Sequence, residues 1–177
     1  NMVYTTINLP RIALEINQDY PHLRSEEKCE IFKEKWCEIA EIVKEQLFDR
    51  YNKILKLDRD DLPCNAKYSL WLIDFNTVNS LEEIFKNGTL SIGFMGLSEA
   101  VELLIGEKYF ASEKNHAIAI DLVKYMREII DKFRYDNKMN FTLLATSGEF
   151  ISGRFPNLDL QYFQHPLLEK GFYTNSF

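Results

Sequence analysis

No stretch of this chain comes near the roughly 20 consecutive apolar residues that a membrane-spanning helix needs. Its opening also lacks the basic segment and apolar run of a secretory signal, so the expectation is a cytoplasmic protein with no membrane partner. Cysteine is scarce. Cys29, Cys37 and Cys64 form no C-x-x-C pair, which argues against structural zinc or a redox dithiol and leaves buried or incidental thiols. His22, His116 and His165 are scattered and form no ligand cluster, so no metal is expected within the chain. Positive charge is in deficit, with 21 Lys and Arg against 27 Asp and Glu. A net charge of −6 argues against a nucleic-acid backbone as the main partner. There is no GxGxxG and no Walker Gly-Lys-Ser/Thr, and Ser152 lacks the GxSxG setting of a nucleophile elbow.

What is present suits one core. In 177 residues, 46% are hydrophobic and 27% charged, and no repeat, low-complexity run or linker divides them; residues 1–177 read as a single α/β domain. Residues 3–9 are β-branched and aromatic and read as a strand stopping at Pro10. Residues 11–16 either extend that strand or open a short helix. Ser25 is placed to cap a long helix over 26–57, with Ile31, Ile39, Val43, Leu47, Tyr51, Ile54 and Leu55 near the helical period. A polar connection over 58–65 leads to residues 68–73, an apolar run suited to a strand or a buried loop, in which Tyr68-Ser-Leu-Trp71 reads as core. Ser80 and Glu83 fit a capping box for a short helix over 81–85. Residues 89–94 read as a strand, 97–104 as a helix, 113–135 as a long helix faced by Ala117, Ile120, Val123, Ile130 and Phe133, and 140–145 as a third strand. Strands separated by long helices favour parallel pairing, hence an α/β sheet or part of a barrel. Residues 173–177 read as a strand cut through, so the chain is expected to be a piece of something larger.

In such folds the carboxyl ends of the strands form the functional edge. Three segments reach it: Asn8-Leu-Pro-Arg11, Gly93-Phe-Met-Gly-Leu-Ser98 and Thr146-Ser-Gly-Glu-Phe-Ile-Ser-Gly-Arg154. Their chemistry suits an anionic or polyhydroxylated ligand, since glycine admits close backbone approach, hydroxyls bond ribose or phosphate, and Arg forks onto an anion. Glu149 either accepts a ribose hydroxyl proton or acts as a base, or else it bonds backbone N–H groups to fix its turn. Asn8 either orients a hydroxyl or satisfies a strand end. Arg154 either meets an anion or forms a structural ion pair. Gly93 and Gly96 read first as tight strand-to-helix packing.

Four stretches carry a resemblance. Thr6-Ile-Asn-Leu-Pro-Arg-Ile-Ala-Leu14, Leu90-Ser-Ile-Gly-Phe-Met-Gly-Leu-Ser-Glu-Ala100, Asn140-Phe-Thr-Leu-Leu-Ala-Thr-Ser-Gly-Glu149 with Ser152-Gly-Arg-Phe155, and Gly171-Phe-Tyr-Thr-Asn-Ser-Phe177 run in the order found in one family. The chain resembles the central catalytic barrel of the anaerobic (class III) ribonucleoside-triphosphate reductases, which are glycyl radical enzymes. The resemblance implies part of a ten-stranded glycyl-radical-enzyme barrel with parallel strands and long crossover helices. It also implies a parent that reduces ribonucleoside triphosphates to deoxyribonucleotides as a homodimer. A glycyl radical installed by a radical-SAM activase would oxidise a cysteine to a thiyl, and formate or thiols would supply the reducing equivalents.

By the same resemblance Asn8 and Glu149 are the catalytic candidates, and Thr146, Ser147 and Gly148 line the substrate. The thiyl cysteine, the radical glycine, the zinc site and the nucleotide-sensing cone fall outside these residues, so the piece alone is expected to be inactive. Ser147-Gly148 stands where the family has Pro-Ala, and Phe150 where it has Gly, which loosens the turn and adds bulk beside the expected ribose. The alternatives are a free-standing nucleotide-binding module derived from the barrel, or a structural remnant with exposed sheet edges. Apolar side chains such as Ile7 and Leu143 are expected on an exposed inner face, favouring self-association.

Overall fold

Three parallel strands form the frame: β1 (Val3–Asn8), β2 (Thr89–Met95) and β3 (Asn140–Ala145), in the order β1-β2-β3. The structure, a computed structural model, describes residues 2–70 and 80–174. Parallel neighbours need long crossovers. Helices α1 (Leu9–Asp19), α2 (Ser25–Leu55), α3 (Pro63–Tyr68) and α4 (Leu81–Phe85) lie between β1 and β2, and α5 (Leu97–Ile105) and α6 (Glu113–Asn137) between β2 and β3. Helix α7 (Glu149–Asp159) and a 3-10 turn (Pro166–Lys170) follow β3.

Register and the two-residue strand period sort the side chains into two faces. Val3, Leu90 and Phe141 stand in one row, and Ile7, Phe94 and Ala145 in another. This face meets the long helices: the Thr5 hydroxyl donates to Gln46 of α2 at 2.8 Å, and the Phe141 ring meets Phe48 of α2 at 5.4 Å and Phe133 of α6 at 6.1 Å. The opposite face carries Tyr4, Thr6 and Asn8 of β1, Ser91, Gly93 and Met95 of β2, and Thr142 and Leu144 of β3. Its character is that of hydroxyls, with Ser91 and Thr142 bonded across the strands at 2.8 Å.

Helix α2 buries Cys29, Phe32, Trp36, Ala40, Val43, Leu47 and Tyr51, a stripe stepping by three or four residues, and α6 buries Asn115, Ala119, Leu122, Met126, Ile130 and Phe133 in the same way. Both stripes are rotated from the sequence expectation: Ala117 and Ile120 are exposed, and Ile31, Ile39, Ile54 and Leu55 are only half-buried. Small and sulfur-bearing residues at the contact line, Ala40, Ala119 and Cys29, are weak hydrophobic markers, whereas the flanking isoleucines are strong ones.

Of the two alternatives for residues 11–16 the helix forms, because Asn8 caps α1 and Pro10 sits in its first turn, where its missing N–H costs nothing. Other expectations need correction. Arg24, not Ser25, is the cap of α2, its N–H donating to Glu27 at 3.1 Å. The polar connection over 58–65 folds into a 3-10 turn (Arg59–Asp61) and the start of α3. Tyr68 ends α3 exposed, and Leu70 is exposed as well, so the expected strand or core does not form there; the rest of that expectation lies outside the described residues. The turn expected over 146–154 is helical from Glu149 onward. Residues 171–174 form no strand, and 175–177 lie outside the described residues. Ile7 is buried against the helices, and Leu143, half-buried, shares its face. The described sheet is open and three-stranded, without the ten-stranded closure.

Candidate active site at the carboxyl edge of the sheet

Each strand runs almost directly into a helix at its carboxyl end. Leu9 begins α1, Leu97 begins α5 and Glu149 begins α7. The first N–H groups of a helix lack intrahelical partners and carry partial positive charge, so an edge built from three of them suits oxygen-rich or anionic ligands. Asn8 caps α1, its Oδ1 accepting from the Arg11 N–H at 3.3 Å, while α5 and α7 begin after Gly96 and Gly148, which offer no side chain for capping.

Two glycines shape this edge. Gly93 lies under the hydroxyls of Thr6 and Thr146, which share a hydrogen bond at 2.9 Å. A Cβ there would come within 2.3 Å of Thr146 Oγ1 and 2.9 Å of Thr6 Oγ1. Gly96 has φ of +77°, and a Cβ would strike the Pro10 ring at 2.4 Å. Packing at Gly96 matches the sequence reading; at Gly93 the space admits a hydroxyl pair.

The segment leading out of the 3-10 turn threads between α5 and α7. The Gly96 N–H donates to Thr174 O at 2.9 Å, and the buried Glu99 accepts from the Thr174 N–H at 3.0 Å and its hydroxyl at 2.7 Å. On the α7 side, the Tyr173 N–H donates to Ser152 O at 3.0 Å, and the Ser152 hydroxyl donates to Tyr173 O at 2.6 Å. Pro156 explains the first of these bonds. Lacking an N–H, it leaves the carbonyl four residues earlier, that of Ser152, for another donor.

Beneath the edge lies Asp159, whose carboxylate is 1% exposed. It accepts from Asn8 Nδ2 at 2.9 Å, from Arg11 Nη1 at 3.2 Å and from the Tyr173 hydroxyl at 2.5 Å. Burial and the bond to Asp159 push the Tyr173 phenol far above the ordinary tyrosine range. Burial works to lower the Arg11 pKa, yet its bonds to Glu15 and Asp159 outweigh that and the guanidinium lies above its ordinary value. Arg11 is also held between the Tyr162 and Phe163 rings, at 4.5 and 4.8 Å from their centroids.

The structure thus brings Asn8, Thr6 and Thr146 to one edge. Thr146 is buried, Ser147 exposed and Gly148 half-buried. Glu149 is exposed and opens with Phe150, Arg154 and Asn157 onto a shallow groove on one side of α7, while Ser152, Pro156 and Asp159 are buried on the other. An apolar cavity of about 430 Å³ adjoins the edge on its helical side, walled by Phe94, Leu97, Tyr109, Val123 and Ala145. Cys29 and Cys37 sit on α2 and Cys64 on α3. Among the described residues no group of three His, Cys, Asp or Glu could hold a metal ion, and no helix is long and apolar enough to cross a membrane. Asp159, Tyr173 and Thr6 escaped the sequence reading as site residues. Tyr173 stands in a stretch that carried the resemblance, but nothing in sequence links Asp159 to Asn8 across a separation of 151.

The family model described as anaerobic ribonucleoside-triphosphate reductase matches residues 1–177. The chain belongs to this family. It is 28% identical over 182 residues to the Escherichia coli anaerobic ribonucleoside-triphosphate reductase, covering 100% of this chain and 24% of that protein. With the bacteriophage T4 reductase it shares 24% over 181 residues, or 27% of that protein. The chain therefore spans about a quarter of the length of the curated relatives it matches. Among solved structures, the Thermotoga maritima anaerobic ribonucleotide reductase with glycerol in its active site superposes with a TM-score of 0.62 at 18% identity, over 98% of this chain and 25% of that one. The same enzyme in complex with dATP and CTP gives 0.61 over 92% and 24%. At these identities the superpositions establish the shared fold.

Proposed function

We propose that this chain is the segment of an anaerobic ribonucleoside-triphosphate reductase that presents the ribose-facing edge of the catalytic barrel. The observation that carries the reading is the shared hydroxyl pair of Thr6 and Thr146 over Gly93, beside Asn8, where three helices begin. Such an edge offers neutral hydrogen bonds to sugar hydroxyls and N–H groups to phosphate oxygens. The reaction is reduction of a ribonucleoside triphosphate to the deoxyribonucleotide. Its radical chemistry is supplied by the family's glycyl radical, which a radical-SAM activase installs, with formate or thiols as reductant.

In this reading the chain's own residues bind, orient and exclude water. Asn8, already fixed through Oδ1 and one N–H, keeps its second amide N–H for a ribose hydroxyl. Thr146, Ser147 and Gly148 line the substrate, and Glu149, at the first position of α7, is the carboxylate available to take or hold a hydroxyl proton once the surrounding barrel is assembled. The Cys29, Cys37 and Cys64 thiols do not fit the radical-carrying role, since they lie on α2 and α3; no step is assigned to them. The parent works as a homodimer.

The test is turnover of ribonucleoside triphosphates by the full-length gene product containing this chain, with its activase and reductant. Asn8→Ala and Glu149→Gln are each expected to lower kcat by about 100-fold or more. Wild-type rates in both variants would overturn the placement of the ribose at this edge.

A further inference from the structure

We infer that Asp159 is a positioning residue: a buried carboxylate that sets which way the Asn8 amide faces at the carboxyl edge, and that is itself held by Arg11 and Tyr173. The inference rests on the reading that Asn8 meets the ribose, and deepens it.

The geometry is specific in a way that core packing does not require. An asparagine amide can turn over, exchanging its oxygen and its nitrogen. Here each end has a partner of one kind only. The Arg11 backbone N–H can only donate, so it takes Oδ1; Asp159 Oδ2 accepts, so it takes Nδ2. These two bonds use Oδ1 and one N–H, leaving the second Nδ2 N–H as the donor a hydroxyl oxygen needs.

Asp159 is reached from two distant parts of the chain, the β1–α1 junction and the segment after the 3-10 turn. Asn8 ends β1, Arg11 lies in the first turns of α1, and Tyr173 follows the 3-10 turn. The side-chain donors from these parts converge on one carboxylate at 1% exposure, which is costly to bury and serves no packing purpose that a leucine would not serve better. Arg11 supplies the compensating charge and is pinned by the Tyr162 and Phe163 rings. Tyr173 links the network to the segment that docks on α5 and α7. The Asn8 amide is thus the outermost member of a supported network, as positioned reacting groups require.

The experiment is a double-mutant cycle in the full-length protein, measuring kcat and KM for ribonucleoside triphosphate together with thermal stability. Asp159→Asn is expected to lower kcat by about 10- to 100-fold while KM moves less than about threefold, because the neutral amide no longer dictates the Asn8 orientation. In an Asn8→Ala background the same substitution is expected to cost no further kcat, whereas a merely structural loss would persist. Tyr173→Phe, which keeps the carboxylate and removes one anchor, runs through the same cycle with a smaller loss, and decides the matter if Asp159→Asn fails to fold.

Equal kcat losses from these substitutions in wild-type and Asn8→Ala backgrounds would overturn the inference while leaving the role of Asn8 standing. A full rate in Asn8→Ala itself would instead sink the ribose reading, and the inference with it.

Discussion

Gly93 is the residue at which sequence, packing and function meet most tightly. Its missing Cβ is the space in which the Thr6 and Thr146 hydroxyls bond each other. Threonine is stiff at χ1, so neither hydroxyl can swing away freely. Gly93→Ala is therefore expected to destabilise the fold by about 1–3 kcal/mol, read as a lowered denaturation midpoint, and Thr146→Ala added to it should recover part of the loss. An additive double variant would show that the clash lies elsewhere.

Cys29 gives a second residue-scale test, through pH. Burial, the largest influence, pushes its thiol from 9.0 up to about 11. Between these values the unfolded chain releases a proton that the folded chain keeps, so stability is fully present below about pH 9 and falls as pH rises toward 11. The slope is at most ~1.4 kcal/mol per pH unit, reduced to the extent that water reaches the sulfur. Cys29→Ala should flatten that part of the stability profile; an unchanged slope would assign it to other groups. The sequence placed this thiol in a helix but could not show that Phe32 and Trp36, nearby on the buried line of α2, belong to the core. Burial depends on which partner the helix meets.

At the scale of elements, the three strands and the two long helices were legible because apolar periodicity and β-branched runs are local signals. Helix α7 was not. Gly148, Gly153 and Pro156 mark loops in isolation, and the compensation comes from far away: Tyr173 satisfies the Ser152 carbonyl that Pro156 cannot bond. The expected site shared this limit. Asn8, Thr146 and the carboxyl edge follow from strand ends, whereas Asp159 joins them only through the closing of the chain.

Pro156→Ala tests the α7 account directly. The restored N–H at position 156 competes for Ser152 O, so the Tyr173 amide should exchange with deuterium about 10-fold faster or more, while α7 itself gains protection. An unchanged Tyr173 exchange rate would mean that the Ser152 hydroxyl and Glu99 alone hold the segment.

At the scale of the whole molecule, the apolar side chains expected on an exposed face are not the ones the structure exposes. Ile7 is buried and Leu143 half-buried on the helical face. The open sheet face instead shows Tyr4 and Leu144, 49% and 36% exposed, and α7 and the segment after it show Phe150, Tyr162 and Phe172 at 76%, 67% and 57%. The outer edges of β1 and β3 flank that face without a strand partner among the described residues. Unpaired strand edges and exposed apolar side chains favour pairing with any chain that supplies the same. The 177-residue chain should therefore dimerise with concentration in sedimentation experiments over about 10–500 µM, and Leu144→Lys should weaken the association by placing a charge on the open face. A strict monomer across that range would show that the hydroxyl rows of the sheet keep this face wet, leaving the exposed rings too dispersed to hold two copies together.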